Sequence, residues 1–334
     1  MAGTGSTILN LMHVQVGKQT AWDTAVVATV KRMGVYDLKI DPGVKAETFM
    51  DRRGSLAPGY LTAITEAMPT AQMDEYGSYE DVLYTLEGLL GIATPSGIGP
   101  YTRNYAAPTV ALAVNPRWQS LSYGDATNNY RLIGATPSKL TIKGENGKPM
   151  TISSDMFGRD FGEVALVSNL LDRSVQLCMG DHMTVAIDAW AGTIGATPLS
   201  CTSYAYELTL DSKRVTDQFL GAIVACNYHD ADGGDGWETS LKLSLEFNAS
   251  SKAQWDALIA YSSGIPYQRQ VRLKSQSGTN ILQFDFAGYS AKAPTYGEDR
   301  NGVLIYQIEL TGLYNPTLGN YFKAQSVNSV ATLT

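Results

Sequence analysis

The sequence predicts a mainly β protein that contains two copies of one unit. The chain has 334 residues, among them 19 tyrosines and 32 glycines, and tyrosine favours strands while glycine favours turns. Short runs alternate between apolar and polar residues, as half-buried strands do. Similar landmarks also occur in the same order in both halves. These observations favour strands and hairpins over helices, and a duplicated unit over a single one.

Nine runs have the period-two pattern of a strand with one buried face. They are Tyr36–Asp41, Ser138–Lys143, Met150–Met156, Met183–Trp190, Tyr204–Asp211, Ser240–Phe247, Gln270–Lys274, Asn280–Ala287 and Leu304–Leu310. Asn146 and Gly147 stand between two of these runs, and Asn-Gly favours the tight turn of a β-hairpin. The segment Ser138–Met156 is therefore predicted to be one hairpin.

Two segments have helical spacing instead. Ser78–Gly91 begins with a serine that can cap a helix, repeats apolar residues every three or four positions, and ends at glycine. Ser250–Gly264 has the same outline. We expect an amphipathic helix in each segment.

Three landmarks support the duplication. The pairs are Asp37–Asp41 with Glu207–Asp211, Ser78 with Ser250, and Pro100–Arg103 with Pro266–Arg269, at offsets of 170, 172 and 166 residues. Each match alone is weak, because an acidic strand or a capped helix is common. Nearly constant offsets in one order predict that the two halves are copies.

Composition narrows the classes of function. Hydrophobic residues make up 44% of the chain and charged residues 17%, which is typical of a compact folded protein. The 25 Lys+Arg and 32 Asp+Glu give 25 − 32 = −7, and the pI is near 5.0. Tight binding of a phosphate backbone needs clustered cations, so we expect nucleic acid to pass nearby without being held.

No motif for catalysis or metal binding is complete. His229–Glu238 is similar to a calcium loop, but its glycines and aspartates stand at the wrong positions for one. The three histidines lie in different regions, and the pair Cys178 and His182 lacks two further zinc ligands. Nucleophile elbows, phosphate loops and dinucleotide motifs are absent from the sequence. We predict no enzyme activity, metal or cofactor, although glycosidase-type carboxylate pairs stay open because only folding brings them together.

Compartment follows from the cysteines and the N-terminal residues. Cys178, Cys201 and Cys226 are odd in number and far apart, so reduced thiols are expected. Met1–Thr7 lacks the basic start of a signal peptide, and no stretch reaches the roughly 18 apolar residues of a membrane span. We expect synthesis and folding in a cytoplasm.

Two long connections are candidate assembly contacts. Met50–Asp74 in the first half and Asp217–Glu238 in the second both lie between the landmark strand and the helix. Long loops of compact proteins usually carry function. A surface loop without a partner is the alternative interpretation. The candidate contact residues are Asp51, Arg52, Arg53, Tyr60, Asp230, Asp232, Asp235 and Trp237.

One stretch, Tyr130–Gly158, resembles the central part of the tail tube proteins of long-tailed bacteriophages. The helix that ends at Gly91 and the run Gly302–Asn315 resemble other parts of the same family. The resemblance implies a mainly β, sandwich- or barrel-forming α+β fold of two tandem units, each with two packed sheets and one flanking helix. We expect the first unit at residues 1–165, a crossover at 166–199 and the second unit at 200–334.

The resemblance also implies a function in the virion. Six units close a ring in this family, so three copies of a two-unit chain would form one ring with pseudo-sixfold symmetry. Inner strands would join between copies into a barrel around a channel, and the rings would stack through the long connections. Other copies, the tape measure and terminator proteins, and DNA in transit would be the partners. The family supplies no catalytic residue or cofactor.

Three alternatives stay open. If only one half has the tube fold, a ring would contain six chains. A related virion part, such as a tail terminator, baseplate hub or capsid decoration protein, would share the fold. A secreted sugar-binding β-sandwich would use exposed aromatic residues, but the five tryptophans are scattered along the chain, which favours a role in packing.

Overall fold

The computed structural model describes residues 12–49, 61–109, 116–125, 127–230, 236–260, 266–292, 295–300 and 302–333. Within these ranges the chain forms 21 strands and two α-helices, so the predicted mainly β fold is confirmed. The first half contains β1 (His13–Lys18), β2 (Val30–Lys31), β3 (Val35–Asp41), β4 (Val44–Phe49), β5 (Leu61–Ala67), β6 (Thr70–Tyr76), α1 (Val82–Leu90), β7 (Tyr101–Ala106), β8 (Gln119–Gly124), β9 (Asn129–Glu145), β10 (Thr151–Phe157) and β11 (Asp160–Glu163). The second half contains β12 (Met183–Ala189), β13 (Ser203–Asp211), β14 (Val215–Asp217), β15 (Asn227–His229), β16 (Glu238–Glu246), α2 (Ala249–Ile259), β17 (Gln268–Ser277), β18 (Asn280–Tyr289), β19 (Thr295–Arg300), β20 (Val303–Gly312) and β21 (Phe322–Asn328).

Each of the nine predicted runs coincides with a strand, and three of them extend one residue beyond it, at Met150, Trp190 and Phe247. β9 and β10 form the predicted hairpin, and Gly147 in its turn has a φ of +75°, a left-handed conformation that glycine adopts without a steric cost. Prediction missed several shorter strands, including β1 and β8. It also treated residues 50–74 as one loop, whereas β5 and most of β6 lie there.

The helices begin where local hydrogen bonds allow. Ser78 accepts a hydrogen bond from the backbone of Asp81 at 3.0 Å and forms the turn that leads into α1. α2 is capped by Asn248 rather than by the predicted Ser250, because the Asn248 side chain accepts hydrogen bonds from the backbone of Ser250 and Ser251. Every residue of α1 is buried, so α1 has no exposed polar face of the kind predicted.

Most strands belong to one hydrogen-bonded network with three parts. A long sheet has the order β3-β6-β10-β9-β13-β16-β20-β19. A smaller sheet, β2-β1-β8-β9-β11, covers the first half, where residues 129–135 of β9 take part. A second smaller sheet, β12-β17-β18-β21-β7, covers the second half. The core lies between the long sheet, the smaller sheets and the helices.

The same pairing order occurs in both halves. Along the long sheet, β3-β6-β10-β9 matches β13-β16-β20-β19, and in the smaller sheets β1-β8-β9-β11 matches β12-β17-β18-β21. One landmark does not fit this match, because β7 pairs with β21 at a sheet edge while Pro266–Arg269 leads into the internal strand β17. β12 lies within residues 166–199 and pairs with β17. The predicted domain boundaries stay a prediction.

Buried charges join α1 to distant parts of the chain. The carboxylate of Glu87 in α1 accepts a hydrogen bond from Arg117 at 2.7 Å and lies 3.6 Å from the Nε of Arg103. Arg103 also donates to the carbonyl oxygens of Val330 and Ala331 at 2.7 and 3.0 Å. Arg103 and Arg117 therefore cover the Glu87 side of α1, and Arg103 also holds the C-terminal segment.

Candidate functional site

The long sheet has one apolar face and one polar face. In β13, Leu208 and Leu210 are fully buried, while Glu207, Thr209 and Asp211, which alternate with them, are partly exposed. The same alternation continues through the neighbouring strands, because paired strands in register direct side chains to the same side. We call the second side the polar face.

Hydroxyl side chains form a row across the middle of the polar face. Paired positions on adjacent strands are Ser153 with Thr141, Thr141 with Thr209, Thr209 with Ser240, and Ser240 with Thr311. The row crosses five strands and both halves of the chain. Such side chains hydrogen-bond to water and carry no charge.

A second row alternates in charge. Lys143, Glu207, Lys242 and Glu309 are paired positions on β9, β13, β16 and β20. A carboxylate oxygen of Glu207 lies 2.9 Å from the Nζ of Lys143, and the other lies 3.7 Å from the Nζ of Lys242. The hydrogen bond from Lys143 is the main cause that lowers the pKa of Glu207 below its ordinary value. Glu207 is therefore ionised at neutral pH.

The polar face as a whole is acidic. On β3, β6, β10, β9, β13, β16 and β20, the positions of this face carry four lysines and ten acids, and 4 − 10 = −6. The lysines are Lys39, Lys139, Lys143 and Lys242. The acids are Asp37, Asp41, Asp74, Glu145, Asp155, Glu207, Asp211, Glu238, Glu246 and Glu309. A depression of about 370 Å³ lies on this face around Lys143, Glu207 and Lys242.

The two halves of the long sheet meet at β9 and β13, which we call the internal junction. Seven residue pairs join these antiparallel strands, from Lys139 with Asp211 to Glu145 with Ala205. Where the chain is described, β3 pairs with β6 alone and β19 pairs with β20 alone. β3 is the counterpart of β13 and β19 the counterpart of β9. The sheet therefore ends in two unpaired edges that match the two strands of its own junction.

Two arms extend from the sheet. The first arm is the β4-β5 hairpin, and its exposed apolar residues are Val44, Phe49, Leu61 and Ile64. At its base, a side chain at Gly43 would lie 1.9 Å from the carbonyl oxygen of Met68, so only glycine fits there. The second arm consists of β14, β15 and their connection, and exposes Phe219, Leu220 and Ile223.

The arms touch each other. The backbone of Ala67 donates a hydrogen bond to the carbonyl oxygen of Ile223 at 2.7 Å, and the side chain of Gln218 donates to Thr65 at 2.9 Å. The exposed apolar residues of both arms therefore extend from one region of the molecule. Contiguous exposed apolar residues usually mark an interaction site.

The predicted contact residues are only partly described. Asp51, Arg52, Arg53, Tyr60, Asp232 and Asp235 lie outside the described residues. Asp230 accepts a hydrogen bond of 2.5 Å from Arg214, which also donates to the carbonyl oxygens of Gly88 and Pro137. Trp237 packs, partly buried, against the core. Asp230 and Trp237 thus make contacts within the molecule, and their role in assembly stays a prediction.

Sequence reasoning located most of the second arm and the β5 half of the first arm, but neither β4 nor the apolar residues on the arms. The signal was present for Phe219 and Leu220, which are adjacent large apolar residues in a segment without strand or helix periodicity. The residues of the polar face could also be predicted in part, because they are the polar residues of each alternating run. Its rows depend on which strands pair, and pairing between distant strands has no local signal.

Comparison with models of known protein families gave no match, and comparison with curated proteins gave none either. Neither helix in the described ranges is both long enough and apolar enough to cross a bilayer.

Proposed function

We propose that the chain is a structural subunit of a bacteriophage tail tube, in which stacked rings surround a channel for DNA. The observation that carries the proposal is the internal junction together with two unpaired edges of the same kind. An edge strand offers unpaired N–H and C=O groups to another chain. When the two edges differ but fit each other, copies add head to tail, and the series closes as a ring if the rotation between copies allows it.

The internal junction supplies the register for such a contact. By their partners along the long sheet, Asp37 in β3 corresponds to Glu207 of β13, and Thr295 in β19 corresponds to Lys143 of β9. Glu207 pairs with Lys143 inside the chain. Asp37 of one copy should therefore pair with Thr295 of the next, with the strands antiparallel.

Charge supports an inward position for the polar face. A wall of hydroxyl and net acidic side chains repels a polyanion and gives it no row of free cations, so DNA can move along it. The apolar residues of the arms suit contacts between successive rings, since two such patches bury one another on stacking. From the family resemblance, three copies would form each ring.

Negative-stain microscopy of the purified protein at increasing concentration tests the proposal. We expect rings with a central hole, and stacks of rings at high concentration. Rings that never stack would favour a terminator or hub instead. Rings of six full-length chains would contradict the three-copy arrangement, and a protein that stays monomeric would contradict ring assembly itself.

Cysteine cross-linking tests the register. Asp37→Cys and Thr295→Cys are combined in a chain whose exposed Cys201 and Cys226 are replaced by serine. Opposed strand positions lie within disulfide distance, so oxidation should give covalent dimers and trimers. Asp37→Cys with Arg300→Cys is the out-of-register control, because five residues along a strand span roughly 16 Å. Equal cross-linking of both pairs would contradict the register.

A further inference from the structure

The lysines at the centre of the polar face present a problem for a channel wall. The side chains of Lys143 and Lys242 are 56% and 49% exposed, and they stand on strands either side of β13. Exposed lysines that neutralise phosphates are the main source of sequence-independent affinity for DNA. Two free lysines at one level of a channel would therefore hold a duplex back.

Glu207 lies between these two lysines. Its two carboxylate oxygens face them at 2.9 and 3.7 Å, so one acid is shared by two cations. The side chain of Glu207 is 33% exposed, which keeps its position defined while solvent reaches the pair. The shared carboxylate lies at hydrogen-bond distance from Lys143 and in ionic contact with Lys242, positions that a phosphate would otherwise occupy.

Two other lysines near the face each lie beside an acid other than Glu207. The Nζ of Lys39 lies 2.9 Å from Asp37, and the Nζ of Lys213 lies 2.8 Å from Glu238. These acids each sit next to one lysine on the polar face, whereas Glu207 serves two. Removing Glu207 would therefore leave two lysines without this acid, whereas removing Asp37 or Glu238 would affect one lysine each.

We infer that Glu207 is the residue that prevents Lys143 and Lys242 from binding the phosphate backbone of double-stranded nucleic acid. This inference rests on the proposed function, since it assumes that DNA meets the polar face. It goes further by assigning a role to one side chain. The affinity of the polar face for nucleic acid then depends on the position of each carboxylate as well as on the number of carboxylates.

Fluorescence anisotropy with a labelled 30-base-pair duplex tests the inference on the full-length protein. Wild type should show no saturable binding at about 50 mM salt, and Glu207→Gln should bind. Each phosphate neutralised contributes a slope of about −0.9 in log affinity against log salt. Two freed lysines give a slope near −1.8, so the affinity gained at 50 mM should fall roughly tenfold at 200 mM.

Asp155→Asn is the matched control. It removes the same charge from the same face, but Asp155 forms no ion pair within the described residues. It should leave the protein without measurable binding. Adding Lys143→Gln and Lys242→Gln to Glu207→Gln should remove the gained affinity. Glu207→Ser is a second variant without the carboxylate, with a hydroxyl like those of the neighbouring row, and it should bind the duplex as Glu207→Gln does.

Several results would overturn the inference. These are duplex binding by wild type, no binding by either Glu207 variant, equal binding by Asp155→Asn, or affinity that survives removal of both lysines. Failure of the proposed function is seen separately, as an absence of rings in the microscope. Anisotropy reports on the polar face whether or not rings form.

Discussion

Replacing Leu208 by alanine tests which side of the long sheet is the core. Leu208 is fully buried, and its paired neighbours Ile142 and Leu241 are also fully buried. The substitution removes about three carbon groups, and at about 0.8 kcal/mol for each the transfer contribution is about 2.4 kcal/mol. A rigid surrounding cannot close over the lost volume, so a cavity adds about 1 kcal/mol or more. We expect a loss of about 3–4 kcal/mol.

Thr209→Ala is the control, one residue away on the same strand. Its side chain lies in the hydroxyl row of the polar face, where a change to alanine should cost less than about 1 kcal/mol. Urea unfolding followed by tryptophan fluorescence, at one low protein concentration, gives both free energies of unfolding. A cost for Thr209→Ala equal to or above that for Leu208→Ala would contradict the assignment of the two faces.

Three further predictions follow from the same contacts. Glu87→Gln should lower the free energy of unfolding in urea by about 3–5 kcal/mol, because it leaves the buried Arg103 and Arg117 without their carboxylate. The control Glu309→Gln, at an exposed position, should change it by less than about 0.5 kcal/mol. Similar values for the two variants would contradict a stabilising role for the contacts of Glu87. Phe49→Ser with Leu220→Ser should leave the melting temperature unchanged and convert stacked rings into single rings by microscopy, and persistent stacks would exclude the arms as the stacking contact. The pKa of Glu207 is lowered in the folded protein, so its ionised form stabilises the fold at pH values above the ordinary glutamate pKa. This stabilisation is lost as the pH falls through the lowered pKa. The melting temperatures of wild type and Glu207→Gln should therefore differ near neutral pH and converge in acid.

Local signals predicted much of the fold. The alternation of apolar and polar residues located β13 and distinguished Leu208 from Thr209, because a strand repeats every two residues. The Asn146-Gly147 pair located the turn between β9 and β10, since that turn needs a positive φ. These features depend on residues a few positions apart, so one sequence is enough to find them.

Contacts between distant segments could not be predicted. β9 and β13 lie about 60 residues apart, and their alternation is compatible with many partners, so nothing local indicates the internal junction. The position of Glu207 between two lysines depends on that junction. α1 has amphipathic spacing in the sequence but is buried all round, because arginines outside the helix pair with Glu87.

A cryo-EM reconstruction of the assembled protein tests ring closure through the sheet edges most directly. We predict that β19 of one copy lies antiparallel to β3 of the next, with Thr295 opposite Asp37, and that the polar face lines the central channel. A reconstruction in which β3 and β19 stay unpaired, or in which the polar face lies on the outside of the ring, would contradict that arrangement.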